Sequence, residues 1–150
     1  MAARASSPGS DMSASLRREL RRRVRVDAML TASYRLHTPG ASAGGTVTRN
    51  LSLGGAEVFL PERLPTGTRL TLTLRLPRIG LVATQGRIAW QGKRFYPVTG
   101  DGRVVSTGVR FAPVASVEEG RLSAFIDRLL WQDRESSLAQ VLRRLARLHR

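Results

Sequence analysis

From Ala28 to Phe111 the chain alternates between apolar and polar residues with a period of two. In "AMLTASYRL", Ala28, Leu30, Ala32, Tyr34 and Leu36 alternate with Met29, Thr31, Ser33 and Arg35, which predicts a half-buried strand. "HTPGASAGG" is turn material, and "TVTRN" makes a short second strand. "NLSLGG" breaks that strand and "AEVFL" resumes it before the turn "PERLPTG". "TRLTLTLRLP" has the cleanest pattern, with Leu70, Leu72, Leu74 and Leu76 on one face and Arg69, Thr71, Thr73 and Arg75 on the other. "LVATQGRIAWQ" puts Val82, Thr84, Gly86, Ile88 and Trp90 on one face. "GKRFYPVTGDG" then reads as a loop, and "RVVSTGVRFAP" as a last strand with Thr107, Val109 and Phe111 alternating. Short strands at this spacing, joined by turns rather than helices, predict an antiparallel barrel or sandwich. Closing the sheet into a barrel would also remove its exposed edges.

After Pro113 the period changes. "SVEE" offers a capping box, Ser116 with Glu119, ahead of an apolar stripe at Leu122, Phe125, Ile126, Leu129 and Leu130 that should lie on the barrel. A second stripe follows at Leu138, Val141, Leu142 and Leu145, with Arg143, Arg144 and Arg147 on other faces. "QDRESS" between them holds no glycine or proline, so either a continuous helix or a soft break is open. The second stripe is a candidate surface for a homo-oligomer or another partner, or else folds back onto the domain.

At the other end, residues 1–15 are Ala, Ser, Gly and Pro with little to bury, which predicts a disordered tail. Residues 16–27 form an arginine-rich arm with six arginines between Arg17 and Arg25. The expected organisation is this tail, this arm, a barrel with its packing helix over 28–134, and a basic amphipathic helix over 135–150.

The formal net charge of +14 predicts attraction to polyanions at low salt. Lys93 is the only lysine among the 25 basic residues, however, and such an arginine bias is also what GC-rich coding produces, so placement has to decide. The absence of cysteine excludes disulfides, thiolate metal sites and a cysteine nucleophile. The chain has no long apolar run for a membrane span and no secretory signal at its start, and a cytoplasmic location is expected. His37 and His149 stand far apart. Asp27, Glu57, Glu62 and Asp101 are scattered singly, and nothing resembles a nucleophile–base pair, a metal cluster or a phosphate-binding loop. Neither an enzyme nor a cofactor is expected.

Two spaced features remain. Arg21-Arg22-Arg23-Val24-Arg25 is an RxxxR spacing just before the first strand, and Asn50-Leu51-Ser52-Leu53-Gly54-Gly55 is an NxSxxG spacing at a strand break. In this order, flanking the first strand, the pair resembles the PilZ domain family. The likeness extends to "GRIAWQG" and to "TGVRFAPVASVEEGRLSAFI", and covers roughly Arg21 to Leu130. The resemblance implies a mainly β fold, a six-stranded antiparallel split barrel with one or two C-terminal helices. It also implies a non-catalytic receptor for the bacterial second messenger cyclic di-GMP. By matching position, Arg21 and Arg25 would be the motif arginines with Arg22 as a helper, and Asn50, Ser52 and Gly55 the second half of the site. Trp90 would line the guanine pocket, with plain core as the alternative. Many members have Asp at the position of Asn50; Asn keeps an acceptor and loses the charge. Arg17 with Arg21 and Arg18 with Arg22 share the same spacing; Arg25 is preferred because it adjoins the first strand.

These residue types suit that ligand. A guanidinium is planar, permanently charged and fork-shaped, so it pairs with guanine O6/N7 or with phosphate and stacks on a purine. Ligand bridging the arm and the sheet would order the arm and present a changed surface to an effector protein. A rival reading is a polyanion-binding module for nucleic acid or an anionic membrane surface, and a third is a docking protein that has lost its ligand. The resemblance favours the receptor, with no specific nucleic-acid partner.

Overall fold

The period-two pattern becomes an in–out pattern in the computed structural model, which describes residues 24–40, 42–113 and 116–148, without the side chains of 116 and 133–137. Strands β1 (Val26–Asp27), β2 (Thr31–Leu36), β3 (Ala43–Leu51), β4 (Gly55–Leu60), β5 (Arg69–Leu76), β6 (Gly80–Pro97) and β7 (Arg103–Phe111) precede one described helix, α1 (Ser116–Leu148). All pairings are antiparallel. The strand order is β1-β3-β2-β5-β6-β7-β4, and an additional β3–β4 pairing closes six of the strands into a barrel with β1 as an extra strand. Closure removes the edge that an open sheet would expose.

The leucines of β5 fill the barrel. Leu70, Leu72 and Leu74 are fully buried and Leu76 nearly so, while Arg69 and Arg75 face water. The register sets Ala32 beside Leu74, Tyr34 beside Leu72 and Leu36 beside Leu70, so the buried face continues from strand to strand. Burying a leucine contributes about 1.5–3 kcal/mol. The first half of α1 contacts β6 and β1, and its Leu122, Phe125 and Ile126 join the same core. Glu118 and Glu119 lie in its first turn, where carboxylates favour the helix dipole. The Ser116 side chain of the expected capping box lies outside the described residues.

Three details depart from the sequence reading. The expected strand over 28–36 is interrupted at Ala28–Leu30. β1 and β2 both pair with β3 (Val26↔Leu51, Thr31↔Val47), and their registers differ by one residue across a β3 irregularity between Thr48 and Asn50. Thr48 bridges the gap: its Oγ1 accepts from the Leu30 N–H at 2.9 Å and donates to the Ala28 carbonyl.

The expected loop after Gln91 is strand as far as Pro97, with Phe95 paired to Val105 and Tyr96 to Val104. The loop after β4 holds it. Gln91 Oε1 accepts from the Leu64 N–H at 2.9 Å, Arg63 donates to the Lys93 carbonyl at 2.7 Å, and the Arg63 guanidinium lies 5.2 Å from the Phe95 ring centre. Both faces there are largely exposed, so no alternation marked the strand.

Trp90, finally, leaves the inward face. Ile88 pairs with Val109 but Trp90 with Gly108, so β6 carries one extra residue at this point. Ile88 is 1% exposed and Trp90 41%.

Candidate functional site

Arg25 just ahead of β1, the β3–β4 turn, the β6 bulge and the end of β7 with the residues after it together wall an open cavity of about 610 Å³. That is within the range of small-ligand sites, roughly 300–1,000 Å³. Arg25, Ser52, Trp90, Gly108 and Arg110 are among its lining residues, and no carboxylate is. Two guanidinium groups without an acid among the lining residues give it the chemistry that suits an anion.

Each of these side chains has a local cause. Val26 is buried beside Leu51, which fixes the end of the arm on β3 and leaves Arg25 exposed just outside. From there Arg25 Nη1 donates to Asn50 Oδ1 at 2.8 Å, so the end of the arm touches the NxSxxG segment. Asn50 stands behind Arg25 rather than lining the cavity itself. Its Nδ2 donates to Glu57 Oε2 at 2.9 Å, and Glu57 is its direct partner across the β3–β4 ladder.

Ser52 is 3% exposed and staples the turn: its Oγ accepts from the Gly54 N–H at 3.2 Å and donates to the Gly55 carbonyl at 3.3 Å. The Ser52 N–H donates to that same carbonyl at 2.9 Å, and the Phe111 N–H donates to the Gly54 carbonyl at 2.8 Å, tying the turn to β7. Gly55 opens β4 directly after Gly54 of the cavity lining. A Cβ built there would come within 2.3 Å of the Val109 carbonyl oxygen, so only glycine lets β4 and β7 approach this closely. Trp90 leans on Gly108, where a Cβ would meet the indole Nε1 at 2.1 Å.

The structure thus brings Arg25 and Asn50 into contact and lines one cavity with Arg25, Ser52 and Trp90. Arg21 and Arg22 lie outside the described residues, as does the rest of the arm before Val24. Two residues at the site were missed in the sequence. Arg110 is the outward residue between Val109 and Phe111, and the alternation of β7 next to Gly108 could have identified it. Glu57, read as one of several scattered carboxylates, is 7% exposed and paired to Asn50; no period marks it, because both faces of β4 are covered.

A family model described as "PilZ domain" matches residues 16–128. No curated protein matches the chain. Among solved structures, the PilZ domain of YcgR from Escherichia coli with c-di-GMP superposes with a TM-score of 0.57 at 19% identity, covering 76% of this chain and 94% of that one. MotI/DgrA, the inhibitor of motility from Bacillus subtilis, gives 0.53 at 22% identity, over 71% of this chain and 50% of that one. K. pneumonia MrkH in its apo state gives 0.60 at 12% identity, over 76% and 53%. The chain therefore spans about half the length of MotI and MrkH and nearly all of the isolated YcgR domain.

Proposed function

This chain belongs to the PilZ domain family, and on that premise we propose that it is a non-catalytic receptor for cyclic di-GMP. One observation carries the reading. Arg25 of the RxxxR spacing is hydrogen-bonded to Asn50 of the NxSxxG spacing at the rim of a cavity walled by Ser52, Arg110 and Trp90. Arg25 and Asn50, 25 residues apart in sequence, meet at the rim of that cavity.

In this reading the guanidinium groups of Arg25 and, from the arm, Arg21 engage phosphate or guanine O6/N7, with Arg22 assisting. Trp90 offers its indole to a guanine face, a contact worth about 1–3 kcal/mol per base. The relatives support the ligand: the YcgR domain resembling this barrel was solved with c-di-GMP. β1 anchors the arm at Val26–Asp27, so ligand binding draws the residues before Val24 onto the site. That ordering relays the signal to an effector protein.

A second copy of the chain is the proposed occupant of the far end of α1, where Leu138, Val141, Leu142, Leu145 and Leu148 are 46–78% exposed. At ~100° per residue this stripe is rotated roughly 130° from the barrel-facing one, so the chain's own barrel does not cover it. Arg143, Arg144 and Arg147 point roughly 150° away from it. Two such seams, free of charge, meet without opposing their arginines.

A salt titration separates this receptor from a polyanion binder. The receptor takes up cyclic di-GMP saturably at moderate salt and rejects GMP, GTP and mixed-sequence RNA. Binding of RNA that falls steeply with log salt, with no preference for the cyclic dinucleotide, would give the site to polyanions instead.

A further inference from the structure

The Asn50 amide lies between two neighbours that leave it one orientation. On one side is the Glu57 carboxylate, which only accepts hydrogen bonds when ionised; on the other is the Arg25 guanidinium, which only donates. The amide nitrogen must therefore face Glu57, at 2.9 Å, and the oxygen must face Arg25, at 2.8 Å. Glu57 is itself well held. It is 7% exposed, lies directly across the ladder from Asn50, and has Arg49 at 3.8 Å as a counter-charge.

We propose that Glu57 is the positioning residue of this site: it locks Asn50 with its carbonyl toward Arg25 and so fixes the Arg25 guanidinium at the cavity. This deepens the receptor reading and rests on it for the nature of the ligand. Through its bond to Arg25, Asn50 holds the guanidinium at the cavity that Arg25 lines, so Glu57 acts on ligand affinity without touching the ligand.

The same lock accounts for asparagine at position 50. An aspartate there would place a second carboxylate against a buried one, and like charges at hydrogen-bond distance oppose each other. Asparagine provides the acceptor toward the arm together with the donor that Glu57 requires.

Three readouts test this, two of them without ligand. In the ligand-free protein, the Asn50 side-chain amide protons should exchange slowly by NMR. In Glu57→Met, which matches the length and offers only a weak thioether acceptor, exchange should speed up at least tenfold; in Glu57→Gln, which keeps an acceptor oxygen, it should stay close to wild type. Unchanged protection in a folded Glu57→Met would overturn the proposal.

With ligand, the affinity for cyclic di-GMP should fall about tenfold in Glu57→Met and be retained in Glu57→Gln. A folded Glu57→Met with wild-type affinity would also overturn it. Should Glu57→Met not fold, melting of Asn50→Asp decides: it should melt several degrees below wild type, and Asn50→Asp/Glu57→Gln should recover most of the loss. Additive losses in the double variant count against the lock. If wild type bound no cyclic di-GMP, the receptor reading would fail, and amide exchange and melting would still decide for or against Glu57.

Discussion

The indole of Trp90 rests on the backbone of Gly108, so closely that a Cβ at position 108 would lie 2.1 Å from Nε1. The β6 bulge turns Trp90 out of the core, and the missing side chain of its ladder partner gives it a seat on the cavity wall. Gly108→Ala should unseat the ring while leaving Ile88 and Val109 in the core. The expected result is roughly tenfold weaker cyclic di-GMP binding, the loss of about one base–aromatic contact. The fluorescence of Trp90 should shift as well, read in a Trp131→Phe background because the chain has two tryptophans. Unchanged affinity and emission would show that Trp90 does not depend on this seat.

Gly55 has a different task, and its replacement should act on stability first. The β4–β7 ladder sets Gly55 against Arg110, and an alanine methyl would press into the Val109 carbonyl at 2.3 Å. Backbone cannot swing aside as a side chain can, so Gly55→Ala should cost about 1–3 kcal/mol. A lowered midpoint in urea with an unchanged slope would match this expectation.

The barrel was legible in the sequence because burial on one face of a strand leaves a period of two, and Leu70 to Leu76 show it without interruption. Features that break the period were not legible. The extra residue in β6 moves Trp90 off the face that alternation assigned to it, and the break at Ala28–Leu30 follows from a register shift in β3. The end of β6 faces water on both sides and carries no pattern. At the site, the spacing of Arg25, Asn50 and Ser52 could be read from the chain. The pairing of Glu57 with Asn50 could not, because it depends on which residues stand opposite each other across the ladder.

Tyr34 couples the stability of the fold to alkaline pH. Burial, followed by the Glu62 carboxylate, raises its phenol above the ordinary value of 10.0, and a hydrogen bond with Ser42 only partly offsets this. The unfolded chain therefore releases this proton first as the pH climbs. Stability from this group is complete below pH 10 and declines as the pH rises from there through the folded-state value. Tyr34→Phe should flatten that decline in thermal melts between neutral and strongly alkaline pH.

Self-association through the far end of α1 makes a further prediction. Leu142 and Leu145 are 56% and 46% exposed there, so Leu142→Gln/Leu145→Gln should leave the barrel's melting unchanged. Sedimentation equilibrium should show a concentration-dependent oligomer for wild type and a monomer for the double variant. A wild-type monomer at all concentrations would leave this stripe without the proposed partner.

The most direct test of the receptor reading is isothermal titration of cyclic di-GMP into wild type and Arg25→Ala at moderate salt. Charge-assisted hydrogen bonds of about 1.5–3 kcal/mol predict saturable binding at one or two ligands per chain, weakened roughly tenfold to hundredfold by the substitution. No saturable heat with the wild type, or equal affinity in both proteins, would contradict a receptor whose anion grip runs through Arg25.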